Sequence, residues 1–299
     1  MTEDSGFFAS PEPLPAKSGA MECIHRSEYG WSELYRIDKG GRFRVLKALK
    51  PEFRDQELYA QLLRKEYEIG YSLSHPAICE VYGYSVIPGL GYAIEMEWVD
   101  GCTLEQLIQE GRISRKESRR IILQLCDALS YLHSKQIVHR DLKPSNILVT
   151  HNGKNVKIID FGLSDSDSYA VLKGAAGTRS FAAPEILAGQ AGDWRSDIWS
   201  LGLILRRLLP ARPAIARKCM AAKPAKRYSD ASEVAVALRR PALWWMLPLA
   251  LAVIALLLWF ATHKSPAPIE PQPESNESSA VSDPAVIDEL FRQATEMLE

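Results

Sequence analysis

The sequence predicts an α+β fold, with strands gathered in roughly its first hundred residues, helices after them, and then one helix long enough to cross a membrane. Three observations carry this. Between Cys23 and Trp98 short strand-like runs are broken by turns rich in Gly and Pro. From about Ser114 to Ser134 the apolar residues Ile121, Leu125, Ala128, Leu129 and Leu132 recur at three and four, the mark of one buried helix face. Pro241 to Thr262 is twenty-two residues without a charge. At 299 residues and 46% apolar, the chain has enough material for a full core.

Residues 1–22 hold Pro11, Pro13 and Pro15 among small and polar residues, with neither apolar periodicity nor a charged-then-apolar leader. A disordered lead-in is expected. From Cys23 the runs Leu34 to Ile37 and Arg42 to Leu46 flank Asp38-Lys39-Gly40-Gly41 and read as a hairpin. A helix follows from about Asp55 to Ser74. After His75-Pro76, two strands, Glu80 to Val86 and Tyr92 to Trp98, are separated by Pro88-Gly89-Leu90-Gly91. Asp100-Gly101-Cys102-Thr103 ends the strand region and caps a helix, since Thr103 and Gln106 have capping-box spacing. Beyond the 114–134 helix, Ile147 to Val149 and Val156 to Ile159 make a small hairpin across His151-Asn152-Gly153, which presents Asp160 to the same space as Asp141.

The chemistry lies in His139-Arg140-Asp141-Leu142-Lys143-Pro144-Ser145-Asn146 and, after it, Asp160-Phe161-Gly162. Phosphoryl transfer from a nucleotide needs a carboxylate to orient an attacking hydroxyl and accept its proton, and hard oxygen donors to hold magnesium against the phosphates. Asp141 fits the first role, Lys143 contact with the transferring phosphate, and Asn146 with Asp160 the metal. With Ala183-Pro184-Glu185 following in order, the chain resembles a protein kinase of the eukaryotic-like (Hanks-type) serine/threonine class, in its bacterial membrane form, over about residues 24–240. The resemblance implies a bilobal protein kinase fold over residues 23–240: a small β-rich lobe with one helix over about 23–98, and a larger helical lobe, shortened near its C-terminus, over about 99–240. ATP and Mg²⁺ would bind between the lobes, and the terminal phosphate would pass to protein substrates.

On that resemblance Lys47 holds the nucleotide phosphates. Lys50 competes, because Ala48-Leu49-Lys50 also resembles the end of the family's V-A-I-K strand; spacing to Glu66, the expected partner in the following helix, decides for Lys47. Val45 and Leu34 would cover the adenine, and the Glu97 carbonyl and Val99 amide would face it at the hinge, with Met96 behind. Setting Leu34 at the apolar position of the glycine-rich loop puts Ser27, Tyr29 and Ser32 where three glycines belong, so that loop is degenerate. Lys143 goes with serine/threonine acceptors. Thr178 lies where the family has a threonine that contacts Asp141 and Lys143. His133 and His139 are structural, Arg227 pairs with Glu185, and Asp197 to Gly202 opens a buried central helix. Only sixteen residues separate Gly202 from Cys219, so a substrate-docking helix is missing or reduced.

Pro241 to Thr262 is rich in Leu, Ala and Trp, and twenty-two residues at about 1.5 Å each span a hydrocarbon core of about 30 Å. Trp244, Trp245 and Trp259 lie near its ends, as interfacial tryptophans do. Arg239 and Arg240 precede it, so the positive-inside rule puts the catalytic domain in the cytoplasm and the tail outside a single-pass cell membrane. From Lys264 onward two basic residues face eight acidic ones. Residues 263–299 form a linker with an amphipathic helix over 284–298 that could self-associate. No basic run suggests nucleic acid. The five scattered cysteines include no Cys-x-x-Cys pair, which excludes a zinc or redox framework and fits a reduced compartment. Two functions lead, an active membrane-anchored serine/threonine kinase and a pseudokinase serving as a tethered interaction module, ahead of a phosphotransferase acting on a small molecule.

Overall fold

The computed structural model describes residues 21–27, 30–161, 180–190, 192–240 and 246–262, with 288–289 and 292–293 of the tail. Residues up to Pro241 make one unit and those from Ala242 a second.

The first unit opens with an antiparallel sheet in the order β1-β2-β3-β5-β4. Its strands are β1 (Glu22–Arg26), β2 (Ser32–Asp38), β3 (Phe43–Leu49), β4 (Val81–Ile87) and β5 (Gly91–Glu97). The expected β2–β3 hairpin forms because Gly40 and Gly41 supply φ values of 65° and 80°, and the Gly41 amide donates to Asp38 Oδ1 at 2.7 Å. Helix α1 (Glu57–Tyr71) covers the sheet, burying Leu63 against Leu49, Val81 and Ile94. Here the pattern of one apolar helix stripe on one apolar sheet face is met directly.

Helices α2 (Leu104–Gln109) and α3 (Arg115–Ser134) begin the helical part. Thr103 with Gln106, and Ser114 with Glu117, close reciprocal capping boxes, each cap contributing about 1 kcal/mol. A three-stranded sheet of β6 (Gly101–Thr103), β7 (Ile147–Thr150) and β8 (Val156–Ile158) lies beyond, and a Cβ on Gly101 would overlap the Val149 carbonyl of the neighbouring strand. Among the described residues of this unit the further α-helices are α4 (Pro184–Leu187), α5 (Arg195–Leu208), α6 (Pro213–Cys219) and α7 (Ala231–Arg239). Leu125, Leu129 and Leu132 of α3 are fully buried in one core with Ile198, Leu201 and Leu205 of α5. Each such side chain stabilises the fold by roughly 1.5–3 kcal/mol. Residues 209–212 alone join α5 to α6, leaving no room for a docking helix between them.

The second unit holds α8 (Met246–Thr262), whose side chains from Leu251 to Thr262 are all exposed. Of the span 241–262 the described helix covers seventeen residues, about 25 Å at 1.5 Å per residue; among the described residues no helix is long and apolar enough to cross a membrane. Residues 241–245 of the expected span lie outside the described residues, as do 1–20 of the lead-in and all of the tail helix 284–298 except 288–289 and 292–293, which are helical; Glu22, expected in a disordered lead-in of 1–22, instead begins β1, paired with Arg36 of β2.

Candidate active site

Strand β3 places Val45 and Lys47 on one sheet face, and its register sets Val45 opposite Met96 and Lys47 opposite Ile94 of β5. From there the Lys47 ammonium reaches Glu66 of α1, Nζ to Oε1 2.6 Å, and Asp160, Nζ to Oδ1 3.2 Å. Three segments thus meet at one amine. Burial works against both members of the Lys47–Glu66 pair, with different outcomes. For Lys47 the carboxylates of Asp160 and Glu66 outweigh burial and hold its pKa above the ordinary lysine range. For Glu66 burial prevails over the pull of Lys47, the like charge of Asp160 adds to it, and the carboxyl is pushed up to about 7. Lys50, the competitor, is also buried, but among the described residues it makes no ion pair.

The second cluster is local. Lys143 Nζ lies 3.2 Å from Asp141 Oδ2, and the Asn146 side-chain amide donates to the same oxygen at 2.9 Å and to the Asp141 carbonyl at 3.0 Å. Burial raises the Asp141 carboxyl above its ordinary value; Lys143 opposes this and Asp160 adds to it. The Asn146 NH₂ is committed to Asp141, so Oδ1 is the atom of this amide that could act as a metal ligand. The Ile159 amide donates to the Asn146 carbonyl at 3.0 Å, so Asn146 stands beside the chain leading into Asp160. The donor set suits Mg²⁺: one carboxylate, 40% exposed at Asp160, and one amide oxygen, both hard ligands.

The loop carrying Asp141 is held from below by Asp197 of α5, a fully buried carboxylate. Asp197 Oδ2 accepts from the His139 amide and lies 2.9 Å from His133 Nε2, while Oδ1 accepts from the Arg140 amide at 2.9 Å. Burial works against its charge, but His133 and the His139 amide win and keep the carboxyl below its ordinary range. Arg140 and Asp160 both adopt left-handed backbone, φ 61° and 66°, at positions where a side chain makes that costly. His139 Nε2 meets the Ile159 carbonyl at 3.3 Å and therefore carries the proton, so Nδ1 accepts from the Asp141 amide at 3.3 Å. Phe161 packs on the same imidazole, ring centroids 5.3 Å apart.

Of the remaining sites named from the sequence, Leu34 and Val45 are buried beside Lys47 on β2 and β3. Val99 packs with Cys79, Leu148 and Ile159, with Met96 against them, and its amide has no backbone partner among the described residues. The Glu97 carbonyl accepts from Cys79 Sγ at 3.7 Å, and its carboxylate takes the Lys157 ammonium at 2.8 Å. Thr178 lies outside the described residues. Glu185 and Arg227 make the expected pair through two bonds of 2.6 Å. Sequence reasoning missed Asp197 as the anchor of the loop. It also missed Trp31, whose indole lies 5.4 Å from the Lys47 ammonium.

The family described as "Protein kinase domain" matches residues 28–239. A probable serine/threonine-protein kinase of Streptomyces coelicolor is 35% identical over a stretch covering 62% of this chain and 29% of that relative. The serine/threonine-protein kinase PrkC of Bacillus subtilis is 34% identical, covering 56% and 26%. The chain thus spans less than a third of the length of either. Among solved structures, the PknI kinase domain of Mycobacterium tuberculosis superposes with a TM-score of 0.58 at 23% identity, covering 79% of this chain and 98% of that one, a likeness of fold.

Proposed function

The chain belongs to the protein kinase family, and from that premise we propose that it is an active serine/threonine kinase, anchored to the cytoplasmic membrane through residues 241–262. It would phosphorylate proteins, itself among them, in signalling. The observation that carries this reading is the meeting of Lys47, Glu66 and Asp160 within 3.2 Å, from segments up to 113 residues apart. ATP with Mg²⁺ supplies a transferable phosphoryl group and the counter-charge that it needs. Asn146 and Asp160 are the residues that would hold the metal. Glu66 aims Lys47 at the phosphates, and Lys47 stabilises the charge that builds on them. Asp141, oriented by Asn146 and Lys143, binds the acceptor hydroxyl and takes up its proton. Lys143 lies close enough to Asp141 to balance the oxygen it activates.

The tether rests on composition: beyond the uncharged run itself, Leu257 is 63% and Trp259 53% exposed on α8, apolar surface that a helix in water would not keep. It would place the catalytic unit in the cytoplasm and the tail outside. A pseudokinase module is the second reading, favoured by Ser27 and Ser32 at glycine positions and by Trp31 beside Lys47.

Full-length protein incubated with labelled ATP·Mg²⁺ and a general protein substrate, beside Asp141→Asn, separates the two. The kinase reading expects phosphoserine or phosphothreonine from the natural chain and at least about a hundredfold less from the variant. Equal labelling by both forms, or none by either while folded, establishes the module instead.

A further inference from the structure

We propose that Arg119, Arg212, Arg239 and Arg240 form a collar that seats the catalytic unit on anionic lipid headgroups at the point where the chain leaves it. This inference rests on the membrane tether proposed above and adds a second, electrostatic contact to it.

The four arginines come from three places in the chain, and two of their guanidinium groups meet backbone carbonyls at the C-terminus of α7, where Arg239 and Arg240 lie. Arg119 of α3 donates to the Leu238 carbonyl at 3.3 Å, and Arg212, between α5 and α6, donates to the Arg240 carbonyl at 3.2 Å. Arg239 and Arg240 complete the group and are exposed. The negative end of a helix dipole accounts for one cation beside it, not four. Among the described residues none of the four makes an ion pair. The surrounding sequence is basic: residues 203–240 hold ten lysines and arginines, of which Arg207 and Arg227 pair with Glu105 and Glu185, against Asp230 and Glu233 within the stretch. Both acids are committed within the fold. Asp230 accepts from Ser130 and from the Ser232 amide, and Glu233 accepts from the hydroxyl and amide of Ser229.

An unneutralised basic cluster immediately before an apolar segment matches an anionic bilayer surface, where each Lys or Arg near the headgroups strengthens attachment by roughly fivefold. A soluble acidic protein would answer the same charge. The uncharged segment that begins at Pro241, one residue past the collar, selects the membrane over it.

Cys23 is the exposed cysteine and the other four are buried, so a donor dye can be placed at one position of the intact chain. Full-length protein is reconstituted into bilayers carrying a headgroup acceptor, either neutral phosphatidylcholine or about one-third phosphatidylglycerol. Energy transfer should differ between the two bilayers at low salt, and the difference should vanish at high salt. Arg239→Gln with Arg240→Gln, which leaves the carbonyl bonds of Arg119 and Arg212 in place, should weaken the docked state by about 25-fold. Equal transfer in both bilayers, or a difference untouched by the double variant, overturns the collar. Flotation with neutral vesicles at high salt tests the tether separately. Loss of flotation there, with salt-sensitive flotation on anionic vesicles kept, sinks the tether and supports the collar; flotation with neither overturns both.

Discussion

At the scale of single residues, the Lys47–Glu66 pair illustrates what burial does to charge. Two ions taken out of water at 2.6 Å separation gain from each other little more than they lose in hydration, so the pair is there for position rather than stability. Removing one partner is another matter. Lys47→Met should destabilise the chain by about 3 kcal/mol, the low end for a broken buried pair because Glu66 can take up a proton, and Lys47→Met with Glu66→Met should recover most of it. Urea unfolding of the three proteins checks this; a double variant less stable than the single would refute it. Lys47, Asp141, Asn146 and Asp160 could be named from the chain because their types and order are peculiar to one chemistry. Trp31 could not. An aromatic residue ahead of a strand carries no signal until the fold brings its ring over the Lys47 amine. Glu33 is similar: it is fully buried, held by Arg26, Arg54 and Tyr35, yet in sequence it is one carboxylate on a strand.

At the scale of elements, caps and turns were legible because each is set by neighbours in sequence. Thr103 with Gln106 and Asp38 with Gly41 formed as their spacing required. The bond between Asp197 and the catalytic loop spans 57 and 58 residues, and no local pattern announces it. It also carries a pH signature. Because the native Asp197 carboxyl lies below its ordinary value, the unfolded chain binds the proton more readily, and the stabilisation is complete above that ordinary value, about 3.9, and lost as pH falls through the native one. Asp197→Asn should therefore cost about 3 kcal/mol at pH 7, and the gap from the natural chain should stay level to about pH 5 and narrow below about pH 4. Denaturant midpoints across that range decide it. A gap that widens in acid would mean that the carboxylate is not what holds the loop.

For the whole molecule, the division into a sheet-rich and a helix-rich part followed from periodicity. Of the uncharged run 241–262, residues 246–262 are described, and they are helical throughout. If residues 241–262 anchor the chain, Leu256→Asp with Leu257→Asp should release full-length protein from membranes into an alkaline carbonate wash that leaves the natural chain behind. Release of both forms, or of neither, would count against the anchor.

In the proposed kinase an amine, two metal-binding oxygens and a proton-accepting carboxylate act together on one nucleotide phosphate. Calorimetric titration of the full chain with a non-hydrolysable ATP analogue, with and without Mg²⁺, tests it most directly. Mg²⁺ should tighten binding by at least about tenfold in the natural protein and have no such effect in Asp160→Asn. Affinity that ignores Mg²⁺ in the natural protein, or no binding at all, would contradict the account.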